Sequence, residues 1–326
     1  MWIVGELRRL TGGFDTDTYA FELDAGHGDP SESLVLRHCR ESSRSDRPLV
    51  ESTVQNVSAN AGHPVPAVPY DTTSRSLLGR AYIVMQRMPG ISLLDTLMAD
   101  PMGSAEMVVN VLGTTHARIH GLDTSDLIVA LTESGRPAES LSPFKGLVDI
   151  SALADASRNP TIASLHKWLS DNRPGEPEEL SLCHGDFHPG NILAEEGRVT
   201  GVIDWGNFAI GHAEYDVAVT RFLISIGPIG DSPAPREQID AMIRQLTLGY
   251  NATYEELRSV NESLIDYYTA LRVSHAIGKV LAGAVGADIP GIAHEGYAWA
   301  IPVVYKLMRR RLFEITGIDC GPLPGS

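Results

Sequence analysis

The sequence predicts an α+β protein in which a strand-rich part comes first and a helical part follows. Tyr19, Phe21 and Leu23 alternate with other residues, which is typical of a half-buried strand. Apolar residues recur at helical spacing between residues 104 and 120, and helical segments fill residues 235–315. Strands followed by helices favour an α+β fold. The 326 residues are enough for two lobes with cores of their own.

The first predicted strand follows a polar turn that contains the glycine pair Gly12 and Gly13. Glycines let the backbone fold close over a phosphate group, with main-chain amides and the hydroxyl of Thr16 or Thr18 as donors. In most proteins such a turn before a strand binds nothing. The turn is therefore a candidate phosphate-binding segment only beside a stronger motif.

A second strand is predicted over residues 33–39, and it contains Arg37. The alternation of this strand leaves open whether the face that carries Arg37 meets solvent. A helix is predicted over residues 47–61, because Pro48 suits its first turn and Gly62 follows its end. The strand-rich part thus contains at least one helix.

An apolar run over residues 81–85 predicts a further buried strand, and residues 86–90 break it. Residues 121–160 are rich in Ser, Asp, Gly and Pro and have weak periodicity, which indicates an irregular connection between helices. In the helix before that connection, His116 and His120 lie four residues apart on one face. Without further ligands nearby, a packed or exposed helix face is favoured over a metal pair.

The most informative segment reads His184-Gly185-Asp186-Phe187-His188-Pro189-Gly190-Asn191-Ile192-Leu193, followed by Val202-Ile203-Asp204-Trp205. Two short apolar runs, 191–194 and 199–203, flank a polar turn with a glycine, which predicts a tight antiparallel hairpin. Pairing about the turn places Asn191 opposite roughly Val202, so that Asn191 and Asp204 emerge at the same end. An amide oxygen and a carboxylate at one place suit a hard divalent cation such as Mg2+.

Two simpler interpretations of this segment stay open. Asp and Asn near turns are usually caps, and His184, Asp186 and His188 at alternate positions could be the metal ligands of a hydrolase. The hydrolase leaves Asn191 and Asp204 without a role. Phosphoryl transfer gives a role to Asp186, Asn191 and Asp204 together. One carboxylate orients and deprotonates a hydroxyl, while an amide and a second carboxylate hold magnesium.

The order of these residues resembles that of the protein kinases, and more closely that of the aminoglycoside phosphotransferase family. In that family the loop reads His-Gly-Asp, an Asn lies five residues after the Asp, and the metal-binding Asp is followed by Trp. The resemblance implies a two-lobed protein-kinase-like α+β fold. A small β-rich N-terminal lobe would cover residues 1–89 and bind the nucleotide, and a larger helical C-terminal lobe would cover residues 90–326. Residues 86–90 would form the hinge.

The resemblance also implies the chemistry of the site. Asp186 would orient and deprotonate the attacking hydroxyl, while Asn191 and Asp204 would hold Mg2+. Arg37 occupies the place of the lysine that contacts the phosphates in protein kinases, and its guanidinium can fork to phosphate. Glu51 would hold Arg37 by an ion pair, although Glu41 is a competitor.

Supporting roles follow from the same resemblance. The glycine turn would cover the phosphates of ATP or GTP, and backbone groups from Gln86 to Met88 would bind the base. His184 and His188 would support the catalytic loop. Asp216 would accept backbone hydrogen bonds from that loop, although a helix N-cap is an alternative.

The net charge of −15 argues against a nucleic-acid partner. Residues 90–326 carry most of the imbalance, so their field would favour a cationic acceptor such as an aminoglycoside, unless the charge serves solubility alone. Four acidic and aromatic residues could line such a site: Glu262, Asp266, Tyr267 and Tyr268. A solvated helix face beside a stripe of core residues is the favoured interpretation of these four.

Three features predict a cytoplasmic enzyme without a membrane segment. The opening residues do not resemble a signal peptide, and no apolar run approaches twenty residues. Cys39, Cys183 and Cys320 are odd in number and widely spaced, which fits reduced thiols. Cys183 is expected to be a small buried hydrophobe.

The acceptor is expected to be a hydroxyl of an antibiotic (an aminoglycoside, macrolide, nucleoside or similar natural product), with resistance as the outcome. A metabolic kinase of a sugar, choline or an amino-acid alcohol is second. A protein kinase is third, because little room separates Asp204 from Asp216 for an activation loop. A catalytically silent nucleotide-binding module is the alternative from another class.

Overall fold

The structure is a computed structural model that describes residues 3–4, 6–10, 16–24, 31–39, 47–72, 80–135, 138–227, 235–287 and 298–325. The chain forms two compact units. The first comprises Met1–Met98, Ser125–Arg136 and Pro189–Asn207, and the second comprises Ala99–Thr124, Pro137–His188 and Phe208–Ser326. This division differs from a single cut at residue 90, because two later segments belong to the first unit.

The strands of the described residues are β1 Ile3–Val4, β2 Arg8–Leu10, β3 Thr16–Asp24, β4 Glu32–Cys39, β5 Tyr70–Thr72, β6 Tyr82–Gln86, β7 Ile91–Ser92, β8 Ser181–Cys183, β9 Ile192–Glu195, β10 Arg198–Val202 and β11 Ala209–Gly211. The helices are α1 Arg47–Asn60, α2 Leu93–Ala99, α3 Ala105–His120, α4 Ser125–Glu133, α5 Lys145–Ser157, α6 Pro160–Asp171, α7 Ala213–Ile226, α8 Arg236–Glu255, α9 Glu262–Ala284 and α10 Pro302–Thr316.

The first unit is built on an antiparallel sheet in the order β1-β3-β4-β6-β5, with β2 paired to β3. The predicted strands at 33–39 and 81–85 correspond to β4 and β6, each displaced by one residue or less at its ends. Buried apolar side chains from these strands and from the loop before β5 form the core of this sheet: Val35, Val68, Ile83 and Met85. The strand-rich part of the fold is thus confirmed.

Helix α1 packs against β5 and β6 and against the 3-10 turn Trp205–Asn207. It begins and ends within one residue of the prediction, and Gly62 beyond its end has a φ of +84°. A residue without a Cβ adopts this left-handed conformation at little cost. The side chains of Glu51 and Val54 on this helix are buried.

A three-stranded sheet in the order β10-β9-β7 joins residues 189–207 to the first unit. Glu196 and Gly197 connect β9 to β10 with φ values of +49° and +75°, as in a type I′ turn, so the predicted hairpin is confirmed. Gly201 lies where the register of the hairpin shifts, and a Cβ there would come within 2.7 Å of Met88. The hairpin therefore packs directly against the segment that follows β6.

The second unit is mainly helical, with the short pair β8 and β11 beside helices α3 and α7. Helix α9 packs against α5, α6, α7 and α10, and α3 packs against α8. Helix α3 matches the prediction for residues 104–120, with Gly121 capping its end. Within the described residues, no helix has the length and apolar character needed to cross a membrane.

The expectation of an irregular connection over residues 121–160 is wrong. Helices α4 and α5 occupy much of it. Leu127 and Leu131 on α4, and Leu147, Ile150 and Leu153 on α5, are buried at helical spacing. Ser, Asp and Gly residues surround these positions and conceal this short periodicity in the sequence.

Candidate active site

Arg37 is the centre of a charged cluster in the first unit. It lies on β4, where its side chain is 9% exposed. Its Nη1 forms an ion pair with Glu51 on α1, and its Nη2 donates to Oδ1 of Asp204 at 2.9 Å. Burial alone would lower the pKa of Arg37, but the carboxylates of Glu51 and Asp204 raise it above its ordinary value. The guanidinium is therefore always charged.

The structure answers two questions that the sequence left open. The face of β4 that carries Arg37 is buried, and the ion-pair partner expected at Glu51 is present. Glu41, the competing partner, lies outside the described residues. In the register of β3 and β4, Thr18 is directly opposite Arg37, so the two side chains share one face of the sheet.

The hydroxyls of Thr16 and Thr18 lie 3.4 Å apart on that face of β3, and Thr16 is buried. Gly12 and Gly13, which were expected to cover phosphates with them, lie outside the described residues. Two hydroxyls beside a buried guanidinium can donate hydrogen bonds to phosphate oxygens.

Asn191 and Asp204 emerge at the same end of the β9–β10 hairpin. Ile192 pairs with Val202, and the amide of Ile203 donates to the carbonyl of Asn191 at 2.9 Å. Asp204 has a φ of +65°, a conformation that non-glycine residues adopt at some cost and that often marks a functional position. Their amide and carboxylate oxygens fit a magnesium ion, which prefers oxygen ligands.

Trp205, the residue after Asp204, is held in place by its indole side chain. It is fully buried, and its Nε1 donates to the carbonyl of Val202 at 2.9 Å. The amide of Val202 donates in turn to the carbonyl of Pro64 at 2.7 Å. The base of the hairpin is thus tied to the loop after α1.

The segment 86–90 has part of its backbone already bonded within the first unit. The amides of Gln86 and Arg87 donate to the carbonyls of Ala67 and Ser33 at 2.8 and 2.9 Å. The hydroxyl of Thr200 donates to the carbonyl of Pro89 at 2.6 Å. These bonds fix the backbone next to Met88.

In the second unit, the candidate catalytic loop follows β8. His184 is fully buried, whereas Asp186 and His188 are partly exposed. Gly185 has a φ of +75°, and the amide of Asp186 lies 3.3 Å from Nδ1 of His184. The loop therefore turns sharply before Asp186 and leaves its side chain accessible.

Asp216 binds the backbone of this loop from α7. One carboxylate oxygen accepts from the amide of His184, and the other accepts from the amide of Gly185 at 2.8 Å. The N-cap alternative is wrong, because α7 begins at Ala213 and the cap position belongs to His212. From the other side, Oγ1 of Thr220 donates to the carbonyl of Phe187 at 2.8 Å.

The carboxylate of Asp216 is fully buried between two histidines. His120 Nε2 forms a hydrogen bond of 3.3 Å with it, and His116 Nε2 lies 3.0 Å from the same oxygen without the alignment of a hydrogen bond. Burial opposes ionisation of Asp216, but the neighbouring His116 and His120 hold its pKa well below its usual value. Burial lowers the pKa of His116 to about 3, so this imidazole is neutral near pH 7.

The histidine pair is the feature that sequence reasoning underestimated. The pair is packed in the interior, which is one of the two expected alternatives, and its partners come from distant parts of the chain. The hydroxyls of Tyr250 and Tyr254 lie 2.8 and 2.7 Å from Nδ1 of His116 and His120. The matching four-residue spacing of the two histidines and the two tyrosines was the available signal.

Among the described residues, the only group of at least three acidic, histidine or cysteine side chains arranged to hold a metal ion is His116, His120 and Asp216. His184, Asp186 and His188 form no such group. The hydrolase interpretation of the loop therefore has no support in the described part of the chain.

The acidic and aromatic cluster on α9 corresponds to the favoured interpretation. Tyr267 and Tyr268 are buried, and Glu262 and Asp266 are paired with Arg221 and Arg311 at 2.8 Å. Cys39, Cys183 and Cys320 are buried free thiols. Burial raises the pKa of the Cys183 thiol well above its ordinary value, as expected for a residue that only packs.

Comparison with solved structures identifies the fold. The chain has the protein-kinase-like fold of the aminoglycoside phosphotransferases. A thermostable mutant of aminoglycoside phosphotransferase APH(4)-Ia, in a ternary complex with ADP and hygromycin B, superposes with a TM-score of 0.60 at 18% identity, over 98% of this chain and 95% of that one. Macrolide 2'-phosphotransferase MphH from Brachybacterium faecium superposes with a TM-score of 0.54 at 21% identity, over 91% of each chain.

The family follows from the sequence. Residues 6–259 match the phosphotransferase enzyme family, and the chain belongs to that family. Aminoglycoside 3'-phosphotransferase of Streptomyces fradiae is 31% identical over 43% of this chain and 52% of its own length. Acyl-CoA dehydrogenase family member 11 of Gallus gallus is 33% identical over 53% of this chain and 22% of its own length. The chain thus spans about half or less of these relatives.

Proposed function

We propose that this protein transfers the γ-phosphate of ATP or GTP to a hydroxyl group of a small molecule. The observation that carries the proposal is the chain of contacts from Glu51 through Arg37 to Asp204. A buried, permanently charged guanidinium fixed between two carboxylates is poised to bind the phosphates of a nucleotide. Membership of the phosphotransferase family supports the same reaction.

The nucleotide would be bound by the first unit. Arg37 would contact the phosphates, with the hydroxyls of Thr16 and Thr18 and the turn at Gly12 and Gly13 as further donors. Asn191 and Asp204 would hold Mg2+, which neutralises the charge of the phosphate oxygens when it is bound. Backbone groups between Gln86 and Met88 would bind the base, and the engaged amides of Gln86 and Arg87 leave this to carbonyls or to the amide of Met88.

The acceptor would react beside Asp186. Its hydroxyl oxygen attacks the γ-phosphorus, the bond from that phosphorus to the bridging oxygen breaks, and the nucleoside diphosphate leaves. The hydroxyl proton passes to the carboxylate of Asp186. His184 and Asp216 keep the backbone of the loop in place, so that Asp186 supplies positioning as well as a base.

An antibiotic is the first candidate acceptor, and resistance would be the outcome. The solved structures that share the fold include an enzyme complexed with hygromycin B and a macrolide phosphotransferase. A metabolic hydroxyl compound is the second candidate. It is favoured by the 33% identity to a protein named acyl-CoA dehydrogenase family member 11, whose name points to metabolism rather than to an antibiotic.

The test is acceptor-dependent release of ADP and GDP. The panel contains aminoglycosides, macrolides, nucleoside antibiotics, sugars, choline and hydroxy acids. We expect one class to stimulate release and to gain about 80 Da, the mass of one phosphoryl group. Asp186→Ala should reduce turnover by orders of magnitude while nucleotide affinity is kept.

Asp171→Ala is the matched control, because Asp171 is an exposed carboxylate in the same unit, paired with Lys167 on the surface of α6. Normal turnover in Asp186→Ala would refute the proposed role of that residue. Nucleotide binding with no release across the panel would instead favour a catalytically silent nucleotide-binding module.

A further inference from the structure

The backbone around Asp186 is held on both sides by α7. Asp216 accepts from the amides of His184 and Gly185 before it, and Thr220 donates to the carbonyl of Phe187 after it. Every residue next to Asp186 on this part of the loop thus has a bond to one helix. Contacts that hold Asp216 and Phe187 in place therefore also hold the backbone of Asp186 in place.

Asp216 and Phe187 rest on the same two side chains of α3. His120 is hydrogen-bonded to Asp216, and the ring of His116 stacks on the ring of Phe187 with 4.0 Å between centroids and 11° between planes. The Nε2 of His116 also lies 3.0 Å from the carboxylate of Asp216. The pair therefore contacts the loop by two routes, one through each flank of Asp186.

The histidines are themselves held from behind by α8. Tyr250 and Tyr254 lie one helical turn apart, as His116 and His120 do, so each tyrosine meets one histidine. All four side chains are at most 2% exposed. A buried imidazole nitrogen and a buried phenol each need a partner, and here each supplies the other.

The hydrogen bonds assign the protons at His120. In the neutral imidazole, Nε2 donates to Asp216, because an ionised carboxylate only accepts, and Nδ1 then accepts a hydrogen bond from the hydroxyl of Tyr254. Burial raises the pKa of the Tyr254 hydroxyl, which keeps it a donor. In this form Tyr254 donates to His120, and His120 donates to Asp216.

The group of His116, His120 and Asp216 is better suited to hydrogen bonding than to binding a metal ion. Asp216 already accepts two backbone amides, one of them on the oxygen that faces the histidines. That N–H points its proton at the oxygen that would have to bind the metal. The amides of His184 and Gly185 and the Nε2 of His120 all direct hydrogen bonds at this carboxylate.

We propose that His116, His120, Tyr250 and Tyr254 are positioning residues for phosphoryl transfer. They act through Asp216 and Phe187 to hold the loop that carries Asp186. This inference rests on the proposed function, since its kinetic effect is expressed through Asp186. Its structural part, the order of the loop, can be measured without any acceptor.

The experiment removes only the hydroxyl groups. Tyr254→Phe and Tyr250→Phe each leave a histidine nitrogen unpaired without changing the packing. We expect kcat to fall by about tenfold, the effect of losing roughly one hydrogen bond, while KM for the nucleotide stays within about twofold. Amide exchange of residues 184–187, followed by mass spectrometry on the full chain, should accelerate by a similar factor.

Tyr305→Phe is the matched control. Tyr305 is a buried tyrosine of the same unit whose hydroxyl lies 3.3 Å from the carbonyl of Cys320, on α10 and without contact to the loop. It should lose similar stability and keep both kcat and the exchange of the loop. A second pair, His120→Gln and His120→Ala, asks whether a side chain that can still donate to Asp216 retains more kcat.

Three outcomes would overturn the inference. Loop exchange in Tyr254→Phe equal to that in Tyr305→Phe would show that the tyrosine does not order the loop. An equal loss of kcat in both would assign the effect to stability alone. A stoichiometric metal ion in the purified protein, released by His116→Ala, would replace the hydrogen-bonded arrangement. Normal turnover in Asp186→Ala would instead refute the proposed function and leave the exchange result interpretable.

Discussion

The two units hold their central carboxylates in opposite ways. Asp204 in the first unit is 38% exposed and is held by one guanidinium, which is fixed by a second carboxylate. Asp216 in the second unit is fully buried and is held by two backbone amides and a hydrogen-bonded imidazole. A carboxylate that would bind a metal ion has to remain accessible, whereas one that only braces a loop does not.

This difference has an energetic consequence. In the first unit the guanidinium of Arg37 pairs with both carboxylates, so its removal takes the cationic partner away from a buried negative charge. In the second unit several neutral donors share one charge, so the loss of any one of them is small. Four predictions test this contrast, from the largest expected effect to the smallest.

Arg37→Met should give the largest loss of stability. Glu51 is 4% exposed, and removing one member of a buried ion pair typically costs about 3–5 kcal/mol. The free energy of unfolding, measured by urea denaturation, should fall by that amount, and calorimetry should detect no nucleotide binding. Arg37→Met/Glu51→Met should recover most of the stability but not the binding.

Arg311→Met is the control for this experiment. Arg311 pairs with Asp266 at 2.8 Å, but the side chains are 41% and 52% exposed, so its removal should cost less than about 1 kcal/mol. Equal losses in the free energy of unfolding for Arg37→Met and Arg311→Met would show that the buried cluster stabilises the first unit no more than a surface ion pair does.

Asp216→Asn should give the second largest loss of stability. Unlike Arg37→Met, it should lower turnover and leave nucleotide binding intact. The amides of His184 and Gly185 would lose their charged acceptor, and we expect a loss of about 2–4 kcal/mol in the free energy of unfolding. Turnover should fall by at least about tenfold, while nucleotide affinity stays the same because the loop belongs to the other unit. A loss of nucleotide affinity as large as that of Arg37→Met would contradict the contrast.

The sequence predicted the first unit better than the second for a physical reason. The hairpin with Asn191 and Asp204, and the helix with Glu51, rest on local spacing and turn chemistry. The cluster around Asp216 rests on contacts between residues 116 and 250 or 120 and 254, each 134 positions apart. No local pattern specifies which of two distant helices will meet.

Two other differences have the same origin. Residues 125–136 and 189–207 belong to the first unit because α4 packs on α1 and β9 pairs with β7, which are long-range contacts. Helices α4 and α5 were missed because turn-forming residues outnumber the few buried leucines that mark their faces. Local rules thus gave the hairpin and the helix α1, and they did not indicate the long-range packing of the other helices.

The third prediction concerns pH and the neutral histidine. The pKa of His116 is about 3 in the folded protein, against 6.5 in the unfolded chain, so the unfolded chain binds more protons between these values. The free energy of unfolding should therefore fall as the pH drops below 6.5, by about 2 kcal/mol between pH 6.5 and pH 5 for this residue alone.

Burial also lowers the pKa values of His63 and His212, which adds to the slope in the same direction. The contribution of His116 is therefore the difference between the wild type and His116→Asn, measured by urea denaturation at several pH values. We expect the variant to be less stable at pH 7.5 and to lose less stability on acidification. Parallel curves would show that His116 is not held neutral by burial.

Thr220→Val should give the smallest effect. It removes the neutral hydrogen bond of 2.8 Å to the carbonyl of Phe187 and the contact of the same hydroxyl with Tyr250, and it keeps the volume of the side chain. We expect a loss of about 1 kcal/mol in the free energy of unfolding and a decrease of a few fold in kcat. Thr316→Val is the matched control, since the hydroxyl of Thr316 on α10 donates a similar bond of 2.7 Å to Leu312 and has a second partner in the amide of Ile318 at 3.1 Å. If Thr220→Val lowered kcat as strongly as Asp216→Asn, the loop would depend on one bond rather than on several, and the second unit would resemble the first.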